Sequence, residues 1–135
     1  MCLMLNRSKV SLKKAKDALE IYEICNGEEW LDSACFDSQQ AIEFLLKGIL
    51  LEYGVYFERS HDIGYLASLL NESGFVFSRM DELILLAGTI TAWEEGGRYG
   101  QGIRTSVDTV HRIHNIYKEL LETFLEDQAE QQKDH

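Results

Sequence analysis

The chain has 135 residues, enough for one self-sufficient core, and its formal charge of −10 would repel a nucleic-acid backbone at long range, which excludes a general RNA- or DNA-coating protein. Its three cysteines, Cys2, Cys25 and Cys35, are an odd number without C-x-x-C spacing, as expected for reduced thiols in a cytoplasmic protein. Neither an export signal nor a membrane span is expected, because no apolar run reaches the required length.

The sequence contains no proline, and apolar residues recur at spacings of three and four with almost no alternation of period two. An all-α fold follows. Ser8 is positioned to cap a first helix running to about Cys25, with Val10, Leu12, Ala15, Leu19, Tyr22, Ile24 and Cys25 inward. Lys9, Lys13, Lys14 and Lys16 near its start form either a solvated face or a contact to phosphate or an acidic partner. Asn26-Gly27 breaks the pattern, and Glu28-Glu29 suit the first turn of a second helix. From Trp30 to Tyr53 the apolar set is wide: Trp30, Leu31, Ala34, Cys35, Ala41, Ile42, Leu45, Leu46, Ile49, Leu50 and Tyr53. A stripe of that breadth must touch several neighbours, so this helix is expected to be the centre of the core, ending at Gly54.

Ser60 is expected to cap a third helix over His61 to Asn71, closed by Gly74. A fourth is expected from about Arg79 to Glu95, and a fifth from about Ile103 to Asp127 carrying Ile103, Val107, Val110, His114, Tyr117, Leu121 and Phe124 inward. The glycine-rich stretch between them, Gly96 to Gly102, reads as a turn between antiparallel helices or as a close approach of backbone to phosphate. Residues 1–127 make one domain and 128–135 a polar tail expected to fray. The architecture is an up-and-down bundle of four to five antiparallel helices.

The chemistry concentrates around the last turn. Between Arg98 and Lys118 there are four Lys/Arg residues and one acid, whereas from Glu119 onward six acids meet one lysine. Arg104 and His111 are seven positions apart, which returns to within roughly 20° of one helix face. An arginine fork holds phosphate oxygens without losing its charge, and a histidine exchanges a proton near neutrality. Arg98, Tyr99, Arg112 and His114 are further candidates for phosphate contact or base stacking. Against this, Arg104 and His111 also fit a solvated pair, and His114 falls on the apolar stripe. His61-Asp62 beside a cap has no second pair at metal-ligand spacing, so no metal and no cofactor are expected. The glycines do not make a P-loop pattern, and no strand precedes them.

The run A-C-F-D-S-Q-Q-A-I-E-F-L-L-K-G-I-L-L-E-Y-G at 34–54, then S-H-D-I-x-x-L at 60–66 and G-R-Y-G at 97–100, resembles the HEPN domain family, whose name denotes nucleotide binding in higher eukaryotes and prokaryotes. The resemblance covers about Lys9 to Phe124, although Phe44 and Gly48 stand where the family has small or polar residues. It implies a helical bundle, commonly a homodimer. Many members are metal-independent endoribonucleases, often toxins of toxin–antitoxin pairs, marked by an arginine, four to six residues, and a histidine near the start of the last long helix. Here six residues separate Arg104 from His111, and Thr105 follows the arginine where many nucleases carry a more strongly polar residue. Other members are silent partners of a minimal nucleotidyltransferase or nucleotide binders. The resemblance therefore implies RNA or a nucleotide as ligand, with a nucleotidyltransferase or antitoxin as a further partner, and leaves catalysis open.

Overall fold

The computed structural model describes residues 3–99 and 107–133, with residues 95–99 described by their backbone course. Five helices make up the bundle: α1 (Leu3–Cys25), α2 (Glu28–Glu52), α3 (Ile63–Glu72), α4 (Met80–Tyr99) and α5 (Val107–Lys133). No strand occurs among the described residues. α2 is the hub and packs against all four other helices. Its Ala34, Cys35, Ala41, Ile42, Leu45, Leu46, Ile49 and Leu50 are fully buried, as the width of its apolar stripe requires. Burying each of the larger side chains is worth on the order of 1.5–3 kcal/mol, so this element contributes heavily to the stability of the fold.

The most extensive pairing is α1 against α2, and small residues make it close. A Cβ built on Gly48 would lie 2.8 Å from Leu5 Cδ2, so the missing side chain is what admits Leu5. α2 ends as expected at Gly54, which has a φ of +68°. The amide of Gly54 donates to the carbonyl of Leu51 and that of Val55 to the carbonyl of Leu50, the paired bonds that satisfy the last carbonyls of a helix. Gly74, with a φ of +93°, closes α3 in the same left-handed conformation.

Several local expectations are corrected. Ser8 is no cap, because α1 begins at Leu3 and the residue is fully buried inside it. Its Oγ donates to the Leu5 carbonyl at 2.8 Å and lies 2.8 Å from Tyr117 Oη, tying α1 to α5. Val10, Ile24 and Cys25 face solvent because the buried face of α1 runs through Leu5, Ser8, Ala15, Ala18 and Leu19, and Trp30, in the first turn of α2, is partly exposed. The cap of α3 is Asp62, whose carboxylate accepts from the Tyr65 amide, while Ser60 Oγ accepts from the Asp62 amide one turn earlier. α4 continues to Tyr99, so Gly96 and Gly97 lie in its last turns and not in a linker; Gly100 and Gly102 lie outside the described residues. α5 runs six residues past Asp127, through a segment of Gln, Ala, Glu and Lys that suits a helix.

Candidate functional site

α5 carries His111, His114, Asn115 and Lys118 along one side, and α1 brings Lys16, Leu19, Glu20 and Glu23 opposite them. Together these residues line a cleft of about 330 Å³. The spacing explains the convergence: 111, 115 and 118 stand at i, i+4 and i+7, one face of a helix, and 16, 20 and 23 repeat that spacing on α1. The cleft lies between α1 and α5, which the Ser8–Tyr117 hydrogen bond also joins.

Its electrostatics are mixed. Lys16 and Lys118 are exposed, and neither makes an ion pair among the described residues. Glu20 and Glu23 balance them formally, and protonation of His111 makes the cleft positive. His111 is exposed, and its Nε2 lies 3.1 Å from Glu23 Oε1. A carboxylate bonded to one ring nitrogen orients the imidazole and selects the other nitrogen for proton exchange. A ligand phosphate at His111 would meet Glu23 and have to displace it.

His114 is different in kind. Only 7% of it is exposed, and its Nε2 lies 2.7 Å from Ser38 Oγ on α2. Burial, with the positive charges of Lys16 and His111 adding to it, pushes its pKa down to about 4, so the ring is neutral at pH 7. His114 is thus a packed imidazole, in keeping with its place on the apolar stripe, and it also lines the cleft. Its ring and that of His111 meet edge to face at 6.4 Å.

Arg112 points away from the cleft, towards α4, where its Nε donates to Glu82. Glu82 also accepts from Arg79, which bonds Glu119 in turn. The two guanidinium groups hold the Glu82 carboxyl down at about 2. This network clamps α4 to α5 and leaves Arg112 engaged. Arg104 lies outside the described residues, as do the side chains of Arg98 and Tyr99. Of the six site candidates read from the sequence, the structure thus brings His111 and His114 together and separates Arg112 from them.

Three groups from three elements meet on another face. His61 Nδ1 lies 3.0 Å from Glu43 Oε1 and 3.9 Å from Glu94 Oε1, and the three ligand-type atoms fall within 4.8 Å of one another. Glu43 is almost fully buried, yet Gln39 donates to its Oε1 at 2.7 Å and Lys47 to its Oε2 at 2.9 Å. Those donors, two of them one helical turn away on α2, account for the carboxylate's burial as an ion-pair cluster. The partnership of His61 was not visible in the sequence because it joins residues 18 apart across a loop.

With this geometry established, comparison with known families is decisive. The sequence profile of the HEPN domain matches residues 8–128. The chain belongs to the HEPN family. No curated protein and no solved structure matches it. Membership of the HEPN family makes the chain a nucleotide-binding or ribonuclease-type module in general terms. No described helix is long and apolar enough to cross a membrane.

Lys16, Asn115, Lys118 and Glu23 were not singled out as a site by sequence reasoning. For α5 the signal was available, since Lys118 repeats the seven-residue spacing that had linked His111 to Arg104, and Asn115 stands one turn from His111 on the same face. Lys16 belonged to a lysine run read as a solvated face or as a contact to phosphate or an acidic partner, and the sequence had no means of picking it out of that run before α5 was placed beside it.

Proposed function

We propose that this HEPN domain binds the phosphate of RNA or of a nucleotide in the α1–α5 cleft and acts as a metal-independent endoribonuclease, with His111 as the proton-transfer group. The observation that carries the reading is the exposed His111 imidazole, held by Glu23 at 3.1 Å in a cleft that also contains Lys16 and Lys118. In such a reaction the 2′-hydroxyl attacks the adjacent phosphorus as a base removes its proton, the bond from phosphorus to the 5′-oxygen breaks and that oxygen leaves as a hydroxyl on taking up a proton, and cations stabilise the charge that develops on the phosphate oxygens. His111 suits the role of the base and the lysines that of the cations. Arg104 supplies a further cation in this reading. A homodimer would bring two such basic surfaces together on an otherwise acidic protein, and light scattering at micromolar concentration tests it.

The test is cleavage of total RNA in EDTA by the wild type and by His111→Ala, with analysis of product ends. Cleavage by the wild type alone, leaving 2′,3′-cyclic phosphates, is expected. Silence from both folded proteins overturns the catalytic reading. It would favour the second one, a non-catalytic module partnering a nucleotidyltransferase or antitoxin, for which the intramolecular engagement of His111 by Glu23 and of Arg112 by Glu82 speaks.

A further inference from the structure

The bond between Ser38 and His114 fixes more than the position of the ring. Ser38 Oγ lies 2.6 Å from the Ala34 carbonyl oxygen and 2.7 Å from His114 Nε2. Two oxygens that close need a proton between them, and only the hydroxyl has one to give, so the serine proton is committed to Ala34. Nε2 must therefore carry the ring proton and donate it to Ser38 Oγ. A neutral imidazole has one such proton, which leaves Nδ1 of His114 with a free lone pair.

That nitrogen makes no hydrogen bond among the described residues. Nor is it sealed away, since the one buried side-chain polar atom without a partner among them is Trp93 Nε1. His114 lines the α1–α5 cleft, so a lone pair on a rigidly held ring is offered there. The other groups of the cleft divide cleanly. Lys16 and Lys118 only donate, Asn115 does both, and the Glu20 and Glu23 carboxylates accept but repel an anion. His114 Nδ1 is the uncharged, largely buried acceptor.

We propose that the cleft reads ribose: a phosphate is held by Lys16 and Lys118, and the hydroxyl on the neighbouring sugar carbon donates to His114 Nδ1 while bound, before His111 takes its proton. This rests on the reading of the cleft as a phosphate site and adds a specificity determinant to it. A ribonucleoside 3′-phosphate, free or within an RNA strand, carries its 2′-hydroxyl on the carbon next to the phosphate-bearing one. The two imidazoles, 6.4 Å apart and nearly perpendicular, divide the work on that hydroxyl: His114 recognises it and His111 takes its proton in turnover. His114 is a specificity residue, and Ser38 is the positioning residue that sets its tautomer.

The test is calorimetric titration of the full chain with adenosine 3′-monophosphate, its 2′-deoxy counterpart and inorganic phosphate, with a short RNA and the matching DNA as parallel arms. The ribose form is expected to bind about tenfold more tightly than the deoxyribose form, the worth of one well-made hydrogen bond and the acceptor it satisfies. Ser38→Ala, which touches no ligand, is expected to narrow that ratio while leaving affinity for inorganic phosphate unchanged, because either ring nitrogen can then take the proton. Nitrogen-15 NMR of the wild type is expected to show the Nε2-protonated tautomer at His114. Tighter binding of RNA than of the mononucleotide, or the reverse, identifies the source of the ribose phosphate, and either supports the proposal. Equal affinity for ribose and deoxyribose forms, or an Nδ1-protonated ring, overturns the proposal while the phosphate reading stands. Absence of binding by every probe overturns the phosphate reading and the proposal with it.

Discussion

Acidification should weaken this fold through His114, and the size of the effect follows from its surroundings. The ring's pKa is near 4 in the folded chain against an ordinary value of 6.5. Above pH 6.5 neither state binds the proton. Between 6.5 and 4 the unfolded chain takes it up and the folded chain does not, so stability is lost as pH falls; below 4 both bind it and the loss levels off. At pH 5 the difference amounts to about 2 kcal/mol. Burial also raises the Asp32 and Asp37 carboxyls, which favours the folded chain on acidification. The comparison must therefore be with His114→Gln, which cannot titrate and whose amide can still donate to Ser38. Urea unfolding followed by circular dichroism at pH 8 and pH 5 should show the wild type losing about 2 kcal/mol more than the variant. Equal losses in the two proteins would mean that the folded ring accepts the proton, and the account of His114 as a buried neutral imidazole would fail.

Two glycines should respond in opposite directions. Gly48→Ala places a methyl 2.8 Å from Leu5 Cδ2 and 3.3 Å from the Leu5 amide nitrogen, which should cost about 1–3 kcal/mol in chemical denaturation. Gly88→Ala, in α4 with nothing within 4 Å of the new methyl, should instead gain about 0.5–1 kcal/mol and raise Tm. Asp62→Ala removes the side-chain acceptor at the start of α3 and should cost about 1 kcal/mol, with Asp62→Asn recovering most of it.

The helices were legible in the sequence wherever the physics is local. The wide stripe of α2 identified the hub, and Gly54 and Gly74 marked the helix ends because glycine tolerates the left-handed backbone found there. Ser8 was misread because its local preference is for caps, whereas its actual partner, Tyr117, is 109 residues away. Gly96 and Gly97 were misread because glycine lowers helix propensity by only about 1 kcal/mol per residue, which does not end a helix by itself. The site was half legible. His111 stood out from its spacing and chemistry, but its carboxylate partner sits 88 residues away on α1, and no periodicity within α5 points to it. The tautomer of His114 depends on a serine 76 positions earlier, which registers in the sequence only as one more small residue on a buried stripe.

The two hydroxyl contacts on α5 have a mechanical consequence. Tyr117 is bonded to Ser8 of α1 and His114 to Ser38 of α2, and positions 114 and 117 are adjacent on the helix surface. An oily contact between helices resists separation but only weakly resists turning, whereas directional bonds reaching two different neighbours stop the cylinder at one angle. α5 is thus keyed like a shaft in a hub. His111, Asn115 and Lys118 inherit that setting, since each sits at a fixed angle from the key. Either bond alone still holds the angle, so replacing one serine leaves the cleft aligned, whereas replacing both by alanine would leave the apolar interior nearly intact and let the shaft slip.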